Sequence, residues 1–315
     1  MHLPSASFVP AYNSKFLDET IASVYAQTVQ PGQVIVVNDG STDDTEDRIG
    51  RLAAQLPDNF IWRTKENGGE ASARNLGLRL ATGTHVAFLD HDDLWHPEKL
   101  ERQLAHFASN PDLALSFTAA RYTFRDFQEV PGRTRLPGAR QDDKWDSDPA
   151  VLIEEILLNR CPIATMSTVM MCRDAVRRVT PFDERLVILS DVLMYLELAI
   201  RGLKVDYLPE AFIEYRWHGS NSSRDVGFLW ESLCLVHDRF LREHAAELPD
   251  NIRTRARKWR AHRHLQTAID ALLHGENRRA RRHVFAAARA RPLSVRPGWI
   301  RILGIGPPPS GPWPP

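Results

Sequence analysis

Two acidic turns in this chain have residue types and spacing that could bind a ligand. Asp39 ends one short apolar run, and Asp90-His91-Asp92-Asp93 ends another. Along an extended backbone, alternation sends the side chains of Asp90 and Asp92 the same way, so that both can approach one ligand. Carboxylates suit Mg²⁺ or Mn²⁺, and protein-bound Mg²⁺ commonly shares its coordination between one or two carboxylates and substrate phosphates. Aspartates after a strand are also common turn formers and helix caps, so the pattern alone leaves both interpretations open.

The elements that must position these turns alternate between strand and helix signals. Strands are predicted at Val34–Val37, Phe60–Trp62, His85–Leu89, Leu113–Phe117, Met166–Met171, Lys204–Leu208 and Ala211–Trp217, and helices at Val151–Leu158, Asp191–Ile200 and from about residue 225 onward. Helical apolar periodicity also fills the gaps between the early strands. Repeated strand–helix–strand units predict an α/β fold with a mainly parallel central sheet flanked by helices, followed by a C-terminal helical extension. Because ligands bind at the carboxyl ends of such strands, both acidic turns lie at the predicted binding edge.

Three regions stand apart from this alternation. Residues 126–150 are rich in Pro, Gly, Asp and Arg without periodicity, which predicts a loop. The stretch Ala261–Pro292 indicates a helical hairpin that turns at Gly275. The last residues, PPPSGPWPP, exclude a helix or a central strand.

The charge of the chain is balanced overall but divided unevenly along its length. The 315 residues include 40 Lys plus Arg and 40 Asp plus Glu, yet 14 of the basic residues and only two of the acidic ones follow residue 250. This basic C-terminal region indicates an interaction surface, such as one for peripheral association with an anionic membrane. A solvated helical face, or a tail packed on the acidic part of the chain, explains the charges equally well. No nucleic-acid-binding motif accompanies them, so nucleic acid is not an expected partner.

The composition of the chain and the motifs that it lacks restrict the expected cellular compartment and the expected class of protein. No apolar run approaches the roughly 20 residues that span a bilayer, and the N-terminus lacks the pattern of a secretory signal. Cys161, Cys172 and Cys234 have no metal-ligand spacing and are interpreted as reduced thiols. We therefore expect a cytoplasmic protein, with peripheral binding to the inner face of the cell membrane as the membrane association to test. The sequence contains no GxxxxGK[ST], GxGxxG or GxSxG motif, which disfavours P-loop, dinucleotide-binding and serine hydrolase classes.

Four motifs in the first third of the chain together resemble glycosyltransferase family 2. They are Pro10-Ala11-Tyr12-Asn13, VIVVNDGSTDDT, NGGEASARNLGLRLATG and HVAFLDHDD followed by WHPEKL, and their order and spacing match the family over residues 7–110. Ser190-Asp191 and Tyr215–Ser223 resemble the acceptor half of the family. The resemblance implies the GT-A fold, with a nucleotide-sugar-binding half (1–110) and an acceptor-binding half (111–224). Charge, periodicity and composition predict a basic helical region (225–303) and a disordered Pro-rich tail (304–315) after them.

The resemblance implies nucleotide-binding roles for residues of the early motifs. Asp39 matches the residue that recognises the base, since a carboxylate can accept a hydrogen bond from the ring N–H of uracil or thymine. Pro10 and Tyr12 match the segment beside the base, where Tyr12 could stack on the base or serve as a packing aromatic. Arg74 and Asn75 match the segment that supports the nucleotide, and Arg74 could instead pair with a nearby aspartate.

The same resemblance implies roles for the second acidic turn and for one histidine. Asp90 matches the ribose-binding position, with His91 beside it as a further binding residue, and Asp92 matches the metal-ligating position of the DXD motif. Asp93 is instead a candidate helix cap. His218 matches a residue that in many members reaches the metal or the diphosphate, and a packed histidine is the alternative. The implied cofactor is Mn²⁺ or Mg²⁺, and the implied donor is a nucleoside-diphosphate sugar carrying UDP, dTDP or GDP.

Asp191 matches the general base of the family. The family pattern there is Glu-Asp, and Ser190 replaces the glutamate while the carboxylate of Asp191 remains. A positioned carboxylate can take the proton of an acceptor hydroxyl as that oxygen attacks the anomeric carbon. A bound cation can stabilise the departing nucleoside diphosphate. One direct displacement of this kind inverts the anomeric centre, as family 2 enzymes do.

Two departures from the family pattern refine the expected function. The first strand, represented by Ser7-Phe8-Val9, is short, which predicts either a true start further upstream or a short edge strand. Ile213 stands where processive members have the Gln of Gln-x-x-Arg-Trp. We therefore expect a single transfer to a hydroxyl of a glycan, lipid-linked or protein acceptor, as in bacterial cell-surface polysaccharide biosynthesis. The alternatives are a non-catalytic nucleotide-sugar-binding or scaffold protein and a sugar-phosphate nucleotidyltransferase.

Overall fold

Strands and helices alternate along the first part of the chain and build one mixed sheet. The computed structural model describes residues 5–124, 128–129, 145–158, 161–179, 182–218 and 226–290, and the chain divides into two units, residues 1–221 and 222–315. The strands of the first unit are β1 (Ser5–Ala11), β2 (Gln33–Asn38), β3 (Phe60–Thr64), β4 (His85–Phe88), β5 (Leu94–Trp95), β6 (Leu113–Phe124), β7 (Gln128–Glu129), β8 (Val169–Cys172) and β9 (Lys204–Trp217). Its helices are α1 (Leu17–Tyr25), α2 (Thr45–Ala53), α3 (Gly69–Leu80), α4 (Lys99–Ser109), α5 (Pro149–Leu158), α6 (Arg173–Arg177) and α7 (Ser190–Ile200), with a 3₁₀ turn at Met166–Thr168.

The predicted α/β class is confirmed, and the sheet mixes parallel and antiparallel pairs. Its strand order is β3-β2-β1-β4-β8-β6-β9-β5, and β7 pairs with β6. β1 lies parallel to β2 and β4, β2 lies parallel to β3, and β9 lies parallel to β6. β8 is inserted antiparallel between β4 and β6. The carboxyl ends of β1, β2, β4, β6 and β9 therefore share one edge of the sheet.

Strand β1 lies in the interior of the sheet, so the prediction of a short edge strand is wrong. All seven residues of β1 are buried, with β2 on one side and β4 on the other. β4 pairs only with Ser5–Phe8, so Pro10, which has no N–H to donate, lies beyond that pairing. The sequence signal of β1 is weak because Ser5 and Ser7, although buried, lack the branched apolar side chains typical of buried strands.

Two further segments differ from the predicted elements. Lys204–Trp217 is one long strand rather than two, because β6 pairs with it on both sides of an irregularity in the register. Residues 166–168 form a 3₁₀ turn rather than the start of a strand, because Thr165 Oγ1 accepts from the backbone N–H of Ser167 and caps the turn. Most of the predicted 126–150 loop, the segment 219–223 and the Pro-rich tail 304–315 lie outside the described residues.

The described part of the second unit is helical, with α8 (Val226–His244), α9 (Asp250–Leu273) and α10 (Asn277–Ala290). α9 and α10 form the predicted hairpin, and Gly275 in its turn has a φ of +75°, a conformation that glycine adopts without steric cost. The hairpin is packed by small apolar side chains: Ala268, Ala271, Ala280 and Val284. Among the described residues, we find no helix with the length and apolar character needed to cross a membrane.

Candidate active site

The turn after β4 is locked in place by buried hydrogen bonds. Ser167 Oγ donates to Asp93 Oδ2 at 2.6 Å and accepts from the backbone N–H of Asp90 at 2.9 Å. Asp93 Oδ1 accepts from the backbone N–H of Arg216 at 3.1 Å, which ties the turn to the end of β9. Burial, with the charges of Asp92 and Asp90, raises the pKa of the Asp93 carboxyl well above its ordinary value. Asp93 therefore anchors the turn, and the expected helix cap is wrong because the N-terminus of α4 has no side-chain cap.

Asp92 and His218, the two predicted metal ligands, come together from the turn after β4 and the end of β9. Asp92 Oδ2 and His218 Nε2 lie 2.8 Å apart, and both side chains are mostly buried. Burial alone would raise the pKa of Asp92, but the hydrogen bond with His218 and the nearby histidine charges lower it below its ordinary value. Asp92 is therefore ionised at neutral pH. Its carboxylate beside an imidazole is a donor pair that fits a divalent cation.

Arg74 of α3 joins the acidic turn to the first turn of its own helix. Its Nη2 donates to Asp90 Oδ1 at 3.1 Å and also to Glu70. Thr165 Oγ1 donates to the other carboxylate oxygen of Asp90 at 2.9 Å. Burial acts to lower the pKa of the Arg74 guanidinium, but the negative charges of Glu70, Asp90 and Asp191 outweigh burial. The net result is a pKa above the ordinary value of arginine. Arg74 is thus a permanent buried cation that holds Asp90 in one orientation.

Asp191, the predicted general base, lies in the first turn of helix α7, where the charge of Arg74 acts on it. Leu189, just before the helix, has a φ of +64°, a left-handed conformation that is strained for leucine. Asp191 Oδ1 accepts from the backbone N–H of Val192 at 2.9 Å. Burial raises the pKa of Asp191 against the opposing charge of Arg74, and the charge of Asp90 adds to the increase. A carboxylate whose pKa is raised retains a proton more readily, which suits a general base.

Glu70 is a residue of this cluster that the sequence analysis missed. Burial and the charges of three nearby aspartates raise the pKa of Glu70 to about 7, in spite of its contact with Arg74. The four-residue spacing of Glu70 and Arg74 in a predicted helix was the available signal. Thr165 and Ser167 gave no such signal, because their acidic partners lie 74 to 77 residues away in the sequence.

Asp39, the predicted base-recognition residue, is held at the N-terminus of α3. Its carboxylate accepts from Lys65 Nζ at 2.7 Å and from the backbone N–H groups of Gly68 and Gly69 at 3.0 and 2.7 Å. Gly69 has a φ of +84°, which a side chain would disfavour. The three donors use three of about four acceptor positions of the carboxylate. Asp39 is therefore fixed in orientation with about one acceptor position left for a ligand.

Tyr12 lies on an anchored loop at the same edge of the sheet. Pro10 is buried near the end of β1, and Tyr12 follows with 44% of its surface exposed. The next residue, Asn13, donates its backbone N–H to Ser41 Oγ at 3.0 Å and accepts from the backbone N–H of Thr42 at 2.9 Å. The loop after β1 is thus fastened to the loop after β2, and the exposed ring of Tyr12 is available for stacking.

Two predicted binding residues have different contacts from those expected. Asn75 donates to the backbone carbonyl of Phe182 at 2.9 Å and to Glu184 Oε1 at 2.8 Å, away from the acidic turn. The backbone carbonyl of His91 accepts from Thr20 Oγ1 at 3.0 Å. His91 Nδ1 is buried and has no hydrogen-bond partner among the described residues. Because an unsatisfied buried polar atom costs about 1–3 kcal/mol, this nitrogen is a candidate contact for a bound ligand.

Comparison with known proteins identifies the family of this chain. The model of Glycosyl transferase family 2 matches residues 7–180. An uncharacterized glycosyltransferase of Nostoc sp. is 32% identical over 213 residues, which are 67% of this chain and 64% of that protein. The Escherichia coli UDP-Glc:alpha-D-GlcNAc-diphosphoundecaprenol beta-1,3-glucosyltransferase WfaP is 30% identical over 219 residues, which are 68% of this chain and 78% of that enzyme. The match with the Nostoc protein thus spans less than two thirds of its length.

A solved structure shares the architecture. The crystal structure of S. aureus TarS 1-349 in complex with UDP-GlcNAc superposes with a TM-score of 0.68 and 18% identity, covering 91% of this chain and 81% of the TarS chain. At this identity the likeness concerns the fold. The family match covers more than half of the chain, and the locked acidic turn lies within it. The chain therefore belongs to glycosyl transferase family 2 and has the GT-A fold.

Proposed function

We propose that this chain transfers a single sugar from a UDP-sugar to a hydroxyl of a lipid-linked glycan acceptor, with inversion at the anomeric carbon. The observation that carries the proposal is the convergence of three aspartates on one edge of the sheet. Asp90 and Asp92 share one locked turn, and Asp90 binds Arg74, whose charge also acts on Asp191. The UDP-Glc donor of WfaP and the UDP-GlcNAc complex of TarS support a UDP-linked donor, and the diphosphoundecaprenol acceptor of WfaP supports a lipid-linked acceptor.

The nucleotide would be held by the early strands. Asp39 has about one acceptor position left, which suits the ring N–H of uracil. The exposed ring of Tyr12 would stack on the base, and Asp90 would bind the ribose. Guanine and thymine also carry a ring N–H beside a carbonyl, so GDP- and dTDP-sugars are the alternative donors.

Asp92 and His218 would hold Mn²⁺ or Mg²⁺ beside the diphosphate. Support comes from the ionised state of Asp92, the 2.8 Å separation of its Oδ2 from His218 Nε2, and the unpartnered nitrogen of His91 next to it. When bound, the cation would stabilise the negative charge of the leaving diphosphate. Arg74 lies in the same cluster and keeps a positive charge beside Asp90.

Asp191 would act as the general base. Its carboxylate would accept the proton of the acceptor hydroxyl while that oxygen forms a bond to the anomeric carbon, and the bond from that carbon to the diphosphate oxygen would break. The raised pKa of Asp191 increases its affinity for the proton of the acceptor hydroxyl. Because the base must be ionised, kcat should rise with pH through the pKa of Asp191 and then level off.

The test of this proposal is the variant Asp191→Asn. It should lower kcat by about 10²- to 10⁴-fold, the usual contribution of a general base, and leave the Kd for UDP unchanged in calorimetry. Asp174→Asn is the matched control, because Asp174 is exposed on α6 and pairs with Arg177. Turnover that survives Asp191→Asn contradicts the assigned base. A wild-type protein that binds UDP but transfers sugar to no acceptor supports the non-catalytic alternative, and pyrophosphate release from a nucleoside triphosphate supports a nucleotidyltransferase.

We further propose that the second unit binds the surface of an anionic membrane, where a lipid-linked acceptor resides. The exposed residues Arg255, Lys258 and His262 share one face of α9 with Ile269 and Leu273, because their spacings of three, four and seven residues follow the helical repeat. Ile269 and Leu273 are 41% and 81% exposed. A helix face that is cationic at one end and apolar at the other suits the interface of a membrane that contains anionic lipids.

Part of the basic C-terminal region is unavailable to a membrane. Val284 is buried in the hairpin between α9 and α10 and is unavailable to a membrane. Arg279 and Arg282 both bind the carboxylate of Glu231, so part of the basic charge is neutralised within the unit. We therefore assign the proposed membrane contact to the exposed face of α9 rather than to α10.

Vesicle sedimentation of the full chain tests the membrane proposal. We expect binding to vesicles of phosphatidylcholine with phosphatidylglycerol and little binding to phosphatidylcholine alone. The double substitution Ile269→Glu with Leu273→Glu should abolish binding. Leu235→Glu, at a 54% exposed position on α8, is the matched control and should have no effect. Equal binding to both vesicles, or binding that survives the double substitution, contradicts the proposal.

A further inference from the structure

Asn75 joins helix α3 to the segment that leads into α7. One side-chain N–H donates to the backbone carbonyl of Phe182 at 2.9 Å and the other to Glu184 Oε1 at 2.8 Å. An asparagine amide has two N–H donors, so both are used by the protein itself. The Oδ1 atom is buried as well and has no hydrogen-bond partner among the described residues. Asn75 therefore presents no exposed donor to a nucleotide, in contrast to its sequence-based assignment.

Phe182 is held from two further sides. Its ring is buried and meets the ring of Phe88, the last residue of β4, edge to face with centroids 6.0 Å apart. The guanidinium of Arg74 lies 5.5 Å from the centre of the Phe182 ring. Two consecutive residues of α3 thus contact different segments. Arg74 fixes the acidic turn after β4, and Asn75 fixes the segment that begins at Phe182.

The segment between Glu184 and Asp191 is short and ordered. The backbone N–H of Leu186 donates to the carbonyl of Asp183 at 3.0 Å, closing a turn. Ile188 is buried, and Leu189 takes up the left-handed conformation immediately before α7. Only six residues lie between Glu184 and Asp191, so a shift at the Asn75 contacts can reach the start of α7.

We infer that Asn75 is a positioning residue: it sets the placement of the proposed base Asp191 through the 182–191 segment, and its amide N–H groups do not bind the donor nucleotide. The inference rests on the proposed function for the identity of Asp191 as the base. It assigns Glu184 to the same task, as the carboxylate that accepts from Asn75.

Kinetics of Asn75→Ala test the inference. Because misplacement of a reacting group by about 1 Å can cost about 10²-fold in rate, kcat should fall at least about tenfold while the KM for the donor and the Kd for UDP stay unchanged. Glu184→Gln keeps an acceptor oxygen and should retain kcat, whereas Glu184→Ala should lower it. A loss of UDP affinity parallel to kcat, or an unchanged kcat, overturns the inference.

Asn59→Ala is the matched control for loss of a bridging amide. Asn59 donates to the carbonyl of Pro31 at 3.0 Å and accepts from the Tyr25 hydroxyl at 3.1 Å, but it precedes β3 and so lies at the opposite edge of the sheet. Its removal should lower the melting temperature and leave kcat unchanged. A kcat loss equal to that of Asn75→Ala would mean that destabilisation alone explains both variants and would overturn the positioning role.

Hydrogen exchange separates this inference from the proposed function, because it needs no turnover. In Asn75→Ala, the backbone N–H groups between residues 182 and 191 should exchange faster than in the wild-type protein and in Asn59→Ala. If wild type transfers no sugar but this difference is present, the proposed function fails and the anchoring by Asn75 stands. Unchanged exchange in the 182–191 segment overturns the inference whatever the activity.

Discussion

Ser167→Ala should destabilise the first unit, because a single hydroxyl makes one buried and one part-buried hydrogen bond that lock the acidic turn. Ser167 Oγ donates to Asp93 Oδ2 at 2.6 Å and accepts from the backbone N–H of Asp90 at 2.9 Å. Alanine leaves Asp93 Oδ2 and the backbone N–H of Asp90 without this hydroxyl, and each unsatisfied group costs about 1–3 kcal/mol when buried. We therefore expect the free energy of unfolding to fall by about 2–6 kcal/mol.

Thermal and urea unfolding followed by circular dichroism measure this loss. For a unit of this size each kcal/mol lowers the melting temperature by about 2–4 °C, so Ser167→Ala should melt at least about 4 °C lower. Ser7→Ala is the matched control: Ser7 is fully buried in β1, and its Oγ has no hydrogen-bond partner among the described residues. Its removal should change stability by less than about 1 kcal/mol or increase it. Equal effects of the two substitutions would refute the account of the locked turn.

Three further substitutions test the packing of the first unit and the charge state of the second. Gly77→Ala would place a Cβ 2.1 Å from Phe8 Cε2, so stability should fall by about 1–3 kcal/mol or more. Gly50→Ala meets nothing within 4 Å and should gain about 0.5–1 kcal/mol in urea unfolding; a Gly77 variant as stable as wild type contradicts the packing. Burial and nearby cations lower the pKa of His283 to about 4, so its stabilising contribution is present above the unfolded pKa of about 6.5 and is lost as pH falls towards 4. Melting temperatures should therefore drop between pH 7 and pH 5 in wild type and drop less in His283→Gln, and an equal drop in both would contradict the depressed pKa.

Local patterns in the sequence predicted the elements whose signals are local. The apolar runs at Val34–Val37 and His85–Leu89 predicted β2 and β4, and Gly275 predicted the turn of the hairpin. Strand β1 was underestimated, because its burial comes from neighbours on both sides rather than from the hydrophobicity of Ser5 and Ser7. The residue composition of a strand does not show whether the strand lies in the interior or at the edge of a sheet.

The site was predicted where residue type and place along a strand determine it. The sequence placed Asp90 and Asp92 on one turn, and the family resemblance singled out His218. In the structure, His218 Nε2, just after β9, lies 2.8 Å from Asp92 Oδ2. The supporting groups were not predictable, because Ser167 and Thr165 reach the turn from more than 70 residues away. The functional roles of all these residues remain predictions.

Binding of UDP in the presence and absence of Mn²⁺ tests the central claim most directly. Calorimetry should show that Mn²⁺ strengthens UDP binding to the wild-type protein and to Asp191→Asn, and that the gain disappears in Asp92→Asn. Mn²⁺ should strengthen UDP binding to the wild-type protein and to Asp191→Asn because the cation is held beside the diphosphate. The gain should disappear in Asp92→Asn because the cation loses its carboxylate ligand. A wild-type protein that binds no UDP, or an Asp92→Asn variant that keeps the full effect of Mn²⁺, would contradict the account.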